Sequence, residues 1–225
     1  MANVKDNCSA KETKRRLIDA AGAVFAEKGF ERATIKDITT RAGVSLAAVN
    51  YHFSDKNELY YQCIRHAHET ATGAIESVKT LPADMPAAQK LRVFIKGLLK
   101  DMLDPSLPKW QGILLWREMQ QPTAATERLM SETFSCCCDT LQNLIRDLVT
   151  QPISEEQLDL IVESILGQCL FHVHHQEFNA RIFPEDPPAY ERVDVLADHI
   201  ANFSLGAISC LFPGANLNDK AAIIS

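Results

Sequence analysis

The sequence of 225 residues contains no apolar run long enough to cross a bilayer. Its first residues, "MANVKDNCSAKETKRR", lack the apolar core of a signal peptide, so we expect a protein that is not exported and works in the cytoplasm. No window shows the strict alternation of a half-buried strand. These absences argue against a membrane partner and against a β fold.

The seven cysteines form no C-x-x-C pair, and three of them are adjacent, at Cys136, Cys137 and Cys138. Neighbouring side chains on a helix point about 100° apart, so three adjacent thiols are not expected to converge on one metal ion. We expect free, mostly buried thiols in a reducing compartment, with no metal and no cofactor.

The stretch "CLFHVHH" at residues 169–175 raises the possibility of a metal site, because His172 and His175 share a helical face with Gln168 or Cys169 one turn earlier. Such a site needs a further ligand from another helix. Two alternatives stay open. These histidines either polarise a ligand or respond to pH, or they belong to an interface or an ordinary surface.

The charge is distributed unevenly along the chain, whose formal net charge is -6. Residues 1–60 hold ten basic and eight acidic side chains, whereas the remainder holds 13 basic and 21 acidic ones. A polyanion would be attracted to the first quarter of the chain and repelled by the rest. The asymmetry is compatible with nucleic-acid binding by the N-terminal part only.

Hydrophobic residues recur at helical spacing through almost the whole chain. A capping box at Ser9 and Glu12 predicts the start of a first helix that ends at Gly29. Thr34 and Ser45 are N-cap residues that predict two short helices, which cover 35–42 and 46–53.

The predicted architecture is all-α, with about nine helices in three parts. These are a three-helix head at residues 10–56, a long connecting helix at 57–80, and a C-terminal bundle at 81–215. The helices of the bundle are predicted at roughly 87–103, 109–120, 124–149, 154–179 and 188–211, and Ser154 and Gln157 form another capping box.

The second and third helices, with a turn at 43–45, have the spacing of a helix-turn-helix over residues 34–53. In that motif the second helix enters the major groove of DNA. A helix of seven residues is not stable alone, so apolar packing must hold it. The same geometry also occurs in helical cores that never bind DNA. The side chains expected to pack there are Ile35, Ile38, Val44, Val49 and Phe53, against Phe25 and Phe30.

The outer face of the third helix carries small side chains that suit the major groove. The methyl groups of Ala47 and Ala48 can contact thymine methyl groups, and Asn50 can pair with adenine. Hydroxyl, imidazole and amine groups near the helix ends suit phosphates. The candidate DNA-binding residues are Thr34, Lys36, Ser45, Leu46, Ala47, Ala48, Asn50, Tyr51, His52 and Lys56.

The stretch "LIDAAGAVFAEKGFERATIKDITTRAGVSLAAVNYHFSDKNELYY" closely resembles the DNA-binding domain of the TetR family of bacterial transcription regulators, nearly continuously over residues 13–61. The resemblance implies a homodimer whose two heads read the half-sites of a palindrome, usually as a repressor that a small ligand releases. It assigns Ala47, Ala48 and Asn50 to the recognition helix. It assigns contacts with the DNA backbone to Thr34, Ser45, Tyr51, His52 and Lys56.

One departure from the family pattern lies in the recognition helix. Many members have Gly at the position of Ala47 and Tyr or Leu-Tyr near Asn50. The binding mode is expected to survive this change, but the operator sequence cannot be transferred.

Three later stretches, "ILLWREMQQPTAATERL", "TQPISEEQLDLIVESILGQCLFHVHHQ" and "VDVLADHIANFSLGAI", resemble the C-terminal domain of the CecR-type (YbiH-like) branch of the TetR family. In this branch the domain binds an effector and dimerises, and members are linked to the control of drug-sensitivity and efflux genes.

Two long late helices carry wide apolar faces, which are typical of an isologous four-helix interface between two copies. The alternative is that both faces point into the core of one protomer. The candidate dimerisation residues are Ile161, Ile165, Cys169, Leu196, Ile200, Phe203 and Ala207.

An effector pocket is expected among the middle helices, although aromatic and Met side chains at helical spacing are also typical of a plain core. Trp116 and Arg117 place an apolar wall beside a charge, which suits an amphipathic ligand. Glu118 is either part of that site or lies on a solvated face. The candidate effector-binding residues are Phe94, Leu98, Met102, Trp110, Trp116, Arg117, Phe134, Gln168, Phe171 and His172.

The sequence therefore predicts a DNA-binding transcriptional regulator that is not an enzyme. A ligand-released repressor acting as a homodimer on a palindromic operator is the first hypothesis, and an activator or dual regulator is the second. The rival from another class is a helical small-molecule-binding protein or a thiol enzyme that uses Cys169, His172 or His175. No Gly-rich phosphate loop, Ser-His-Asp order or carboxylate pair supports that rival.

Overall fold

The computed structural model describes residues 2–69, 73–129 and 135–217, with side chains from residue 10 onward except that of residue 135. This part of the chain forms twelve α-helices and one short 3-10 helix, and it contains no strand. The all-α prediction is confirmed. None of the described helices is both long and apolar enough to cross a membrane.

The described helices outnumber the nine that were predicted, because the segments expected at 57–80, 124–149 and 154–179 each contain two helices. Residues 70–72 and 130–134 lie outside the described part. The helices are α1 Ala2–Arg32, α2 Ile35–Ala42, α3 Leu46–His52, α4 Lys56–Glu69, α5 Gly73–Lys79, α6 Ala87–Leu103, α7 Lys109–Gln120, α8 Ala124–Leu129, α9 Ser135–Leu148, α10 Glu155–His174, α11 Gln176–Ile182 and α12 Val193–Leu211, and the 3-10 helix is Ala189–Glu191.

The chain divides into two compact units. The first unit comprises Met1–Thr70 and Ser106–Thr133, and the second comprises Ala71–Pro105 and Phe134–Ser225. This division differs from the boundaries predicted at residues 56 and 81, because α7 and α8 pack with α1 and α4. The assignment of effector binding and dimerisation to residues 81–215 stays a prediction.

In the first unit, α1 is interrupted where the sequence predicts its end. Gly29 has φ 77° and ψ 165°, which is not helical, and one further turn continues to Arg32. Beyond this kink, Phe30 stacks on Phe25 with ring centroids 6.1 Å apart. The start predicted at Ser9 is wrong, since α1 already begins at Ala2.

In the second unit, α6 is the central helix and packs against α5, α9, α10 and α12. Its fully buried side chains include Leu91, Phe94 and Ile95. The start of α5 is held by α6, because Asp101 accepts a hydrogen bond from the backbone N–H of Ala74 at 3.1 Å. The two helices are also in very close contact at Gly97.

The close approach at Gly97 gives a test of this packing. A Cβ built on Gly97 would lie 2.7 Å from the Cα of Ala74, so α5 and α6 would have to separate. We expect Gly97→Ala to lower the free energy of unfolding by about 1–3 kcal/mol, measured by urea unfolding.

A matched control is Gly112→Ala in α7, where a Cβ meets nothing within 4 Å. Its better helix propensity should raise stability by about 0.5–1 kcal/mol. A Gly97→Ala protein at least as stable as the parent would contradict the described contact between α5 and α6.

Candidate nucleic-acid interface

The two helices of the motif begin and end as their sequence predicts. The backbone N–H of Asp37 donates to Thr34 Oγ1 at 3.1 Å, and the backbone N–H of Thr34 donates to Asp37 Oδ2 at 3.2 Å. Gly43 closes α2 in the left-handed conformation, with φ 63° and ψ 39°. Ser45 then caps α3 by accepting from the N–H of Ala48 at 3.3 Å. Local side-chain chemistry therefore sets the corner between α2 and α3.

Long-range contacts that the sequence pattern does not reveal fix α2 on α1. The guanidinium of Arg16 donates to the carbonyl oxygen of Ala42 at 2.6 Å, so a side chain of α1 satisfies the C-terminal end of α2. Arg41 also pairs with Glu27 at 2.6 Å. Exposed pairs of this kind add little stability, but they define how the two helices sit together.

The inner face of α3 is held by apolar packing. Val49 is 2% exposed, and it is the buried residue of α3. Ile38 of α2 and Phe53 at the end of α3 are also buried, as is Phe25 of α1. This confirms that tertiary contacts support a helix too short to be stable alone. Three further residues predicted for this cluster are only partly buried, namely Phe30, Ile35 and Val44.

The outer face of α3 is open to solvent. Ala47 and Asn50 are exposed, Leu46 is 58% exposed and Tyr51 is 79% exposed. A tyrosine this exposed contributes little to packing within the fold. Surfaces of this kind are typical of a helix that contacts a partner.

The other predicted contacts occupy the borders of this face. Thr34, Lys36 and Ser45 are exposed, and Ala48 and His52 are partly buried. The side chain of His52 contacts that of Tyr51 edge to face, with centroids 4.9 Å apart. The predicted DNA-binding set therefore lies around α3 and the N-terminal ends of α2 and α3, and contact with DNA stays a prediction for each residue.

Lys56 is already engaged within the protein. Its ammonium lies 4.4 Å from the centroid of the Phe30 ring and donates to the carbonyl oxygen of Glu31 at 3.3 Å. A DNA phosphate would have to compete with both contacts. Lys56 is thus less available for the predicted phosphate contact than the exposed Lys36.

Behind the motif, the first unit contains a buried carboxylate. Glu118 is 4% exposed, so the alternative of a solvated face for this residue is wrong. It accepts from the Tyr60 hydroxyl at 2.6 Å, from the backbone N–H of Thr123 at 2.8 Å, and from the hydroxyls of Thr123 and Thr126. Burial, together with the Glu118 carboxylate, raises the pKa of Tyr60 far above its usual value. These bonds hold α4, α7 and the start of α8 together.

The residues predicted to bind an effector fall in both units. Trp110, Trp116 and Arg117 belong to the first unit, and Phe134 lies outside the described residues. Trp110 is buried against Gly22, where an added Cβ would meet the indole at 2.3 Å. The others belong to the second unit, namely Phe94, Leu98, Met102, Gln168, Phe171 and His172.

Three of these effector candidates are accounted for by packing within the protomer. Phe94 and Leu98 are buried in the apolar core of the second unit, and Trp110 is buried in the first unit. Phe171 is 49% exposed and its ring stacks on His175, with centroids 4.2 Å apart. An effector role for the whole set stays a prediction.

Burial divides the predicted dimerisation set into inward and outward side chains, and its role at an interface stays a prediction. Four of its members lie in the core of the second unit and are not exposed for a partner, because the wide apolar faces of α10 and α12 point largely inward. These are Ile165, Cys169, Leu196 and Ile200. Ile161 is partly buried, whereas Phe203 and Ala207 are exposed.

The described histidine and cysteine side chains bear on the metal and thiol hypotheses. The described residues contain no group of three side chains that could hold a metal ion. Burial raises the pKa of the Cys169 thiol to about 12, so the reactive thiolate is scarce at neutral pH. Of the other described cysteines, Cys63 is buried, whereas Cys136 and Cys210 are exposed, so the thiols are less uniformly buried than expected.

Two family models match the chain. Residues 17–63 match "Bacterial regulatory proteins, tetR family", and residues 87–208 match "HTH-type transcriptional dual regulator CecR, C-terminal domain". The chain belongs to the TetR family. Its C-terminal part is of the CecR type, as the sequence stretches indicate, and the protein is a TetR-family transcriptional regulator.

Two relatives cover most of this TetR-family chain. It is 27% identical over 173 residues to the HTH-type transcriptional repressor Rv1474c of Mycobacterium tuberculosis. This alignment covers 73% of this chain and 84% of the relative. It is 25% identical over 182 residues to the HTH-type transcriptional dual regulator CecR of Shigella flexneri. This alignment covers 76% of this chain and 79% of the relative.

Solved structures agree on the fold. A TetR-like transcriptional regulator from Rhodococcus sp. RHA1 aligns with a TM-score of 0.65 at 17% identity, over 88% of this chain and 96% of the other. The TetR family is a non-enzyme family, and the regulator class agrees with the prediction from sequence.

The capping box of α2 predicts a pH-dependent stability. The Nζ atom of Lys28 lies 2.9 Å from Asp37 Oδ1. Together with the hydroxyl and the N–H of Thr34, this ammonium lowers the pKa of Asp37 to about 2. Since its unfolded pKa is about 3.9, the Asp37 carboxylate stabilises the fold above that pH, and the contribution is lost as the pH falls through about 2.

We therefore expect Asp37→Asn to lower the urea midpoint of unfolding at neutral pH. The difference from the parent should shrink as the pH is lowered below about 4, where the unfolded parent takes up the proton. Asp84→Asn in an exposed loop serves as the control. A difference that stays constant down to about pH 3 would contradict the assigned role of the carboxylate.

Proposed function

We propose that this TetR-family regulator acts as a homodimeric repressor that binds a palindromic operator through α3 and leaves it when a small ligand binds. The observation that carries the proposal is the exposed outer face of α3, set on a buried inner face. A helix whose inner face is packed on the core and whose outer face is exposed to solvent can enter the major groove without rearrangement.

The side chains on that face suit base readout. The Asn50 amide offers a donor and an acceptor, which match the N7 acceptor and the N6 donor of adenine. Ala47 is small enough to let the helix lie deep in the groove. Tyr51 and the hydroxyl of Ser45 supply donors for phosphates, which fix the register without reading sequence. The Thr34 hydroxyl already donates to Asp37 Oδ2 at 2.7 Å, so a phosphate would have to compete with that bond.

Removing the polar side chains of α3 tests the readout. Asn50 and Tyr51 are exposed, so Asn50→Ala with Tyr51→Ala should leave the unfolding midpoint unchanged. We expect operator affinity to fall at least about tenfold, since a base contact contributes about 1–3 kcal/mol. Fluorescence anisotropy with a selected operator and with random duplex measures both affinities.

Gln120→Ala, an exposed change in α7, is the matched control for that variant. If the double variant keeps both the affinity and the sequence preference of the parent, α3 is not the recognition helix and the proposal fails.

Dimerisation is proposed through exposed apolar side chains of α10 and α12, of which Phe203 already belongs to the set inferred from periodicity. Leu160 and Phe171 of α10 and Val195, Phe203 and Leu211 of α12 are large, apolar and 49–64% exposed. On the same two helices, a Cβ added at Gly167 or Gly206 would meet nothing within 4 Å. Exposed apolar side chains interspersed with glycines suit close approach by a second copy.

A charge placed on this face tests the dimer. Phe203 is 64% exposed, so Phe203→Glu should fold normally as a protomer. Burying the new carboxylate between two copies is costly, so we expect a shift from dimer to monomer, measured by light scattering after size exclusion. Ile113→Glu, at a 48% exposed site in the first unit, is the control. An unchanged dimer in both variants would contradict this choice of face.

Repression and ligand release rest on a population shift. An effector releases the operator only if it binds the DNA-incompetent state more tightly than the competent one. The relative Rv1474c is named a repressor, whereas CecR is named a dual regulator, so dual regulation is the second candidate. Reporter transcription that rises when the protein is added would favour the second candidate.

A further inference from the structure

The first unit has a cleft beside the kink of α1 that the predicted contacts with DNA do not use. Its volume is about 360 Å³. It is lined by the end of α1, by α4 at Tyr60, and by the end of α7 with the turn that follows. A volume of this size is within the range of small-molecule sites in proteins.

Positive charge predominates in the cleft, although the whole chain carries -6. Lys28, Arg32 and Arg117 line it together with one carboxylate, Glu31. Lys28 is paired with Asp37, and Arg32 donates to the carbonyl oxygen of Lys28 at 3.1 Å. No carboxylate of the described residues pairs with the guanidinium of Arg117.

The position of Arg117 depends on Gly29. The Arg117 Nη1 atom lies 3.3 Å from the point where a Cβ on residue 29 would stand. Gly29 is also in the left-handed region at φ 77°, so glycine suits this position both for its conformation and for the close approach of the guanidinium. The neighbouring Glu118 does not neutralise Arg117, because its carboxylate is buried and accepts from Tyr60, Thr123 and Thr126.

Apolar surface completes the cleft. Phe30, Tyr60 and Pro122 line it, and the rings of Phe30 and Tyr60 contact each other with centroids 4.8 Å apart. The cleft therefore combines a charge without a counter-ion and an apolar wall, which is the chemistry that recognises an amphipathic anion.

We propose that this cleft binds a small organic anion with a flat apolar body, whose acidic group pairs with Arg117 and whose ring lies against the apolar wall at Pro122. A carboxylate accepts two parallel hydrogen bonds from a guanidinium, so an organic acid fits Arg117 better than a neutral molecule does. The site goes beyond the proposed operator binding and does not depend on it.

Isothermal titration calorimetry of the full chain with 2-naphthoate tests the site, with the neutral 2-naphthamide as the matched ligand. We expect naphthoate to bind more tightly than the amide. Arg117→Gln should weaken naphthoate binding at least about tenfold, because it removes the charge-assisted hydrogen bonds to the carboxylate, and should leave binding of the amide unchanged. Arg117→Lys keeps the charge but loses the paired donors, so its affinity for naphthoate should lie between those of the parent and of Arg117→Gln.

Lys109→Gln removes the same charge from an exposed position on the same helix and should leave naphthoate binding as it is in the parent. Both positions are exposed, so both variants are expected to fold, which far-ultraviolet circular dichroism checks. Equal effects of Arg117→Gln and Lys109→Gln, equal binding of acid and amide, or no naphthoate binding at millimolar concentration would each overturn the proposal.

Discussion

Val49 lies on the inner face of α3, and its packing into the core of the first unit is the contact on which the rest of the proposed mechanism depends. A helix of seven residues forms too few internal hydrogen bonds to persist alone, and Val49 is the residue of α3 that is buried. Its burial, with that of Ile38 and Phe53, fixes the direction in which Asn50 and Tyr51 point. The short helix α3 is thus held in place by the core of the first unit.

The same core extends from α3 to α7. Phe25 contacts Tyr60 edge to face with centroids 4.8 Å apart, and the Tyr60 hydroxyl donates to Glu118 at 2.6 Å. A buried carboxylate is costly unless donors surround it, and Tyr60, Thr123 and Thr126 provide them. The turn after α7 is therefore joined through one polar network to the aromatic residues behind α3, and the cleft at Arg117 adjoins both.

The sequence predicts the parts of the structure that depend on neighbouring residues. The caps at Thr34, Ser45 and Ser154 follow from local side-chain chemistry, and the structure contains each of them. Contacts between distant residues leave no local pattern, so the bond from Arg16 to Ala42 and the buried position of Glu118 were not predicted. The dimerisation set illustrates another limit, since periodicity marks apolar residues on α10 and α12 without distinguishing an inward Ile200 from an outward Phe203.

Selection of operators from random duplex DNA with the full-length protein, followed by footprinting of the enriched duplex, tests the central claim most directly. The account predicts an inverted repeat with two matching half-sites about one helical turn apart, each protected in the major groove. Failure to enrich any sequence, or enrichment of a single asymmetric site protected only in the minor groove, would contradict recognition by α3.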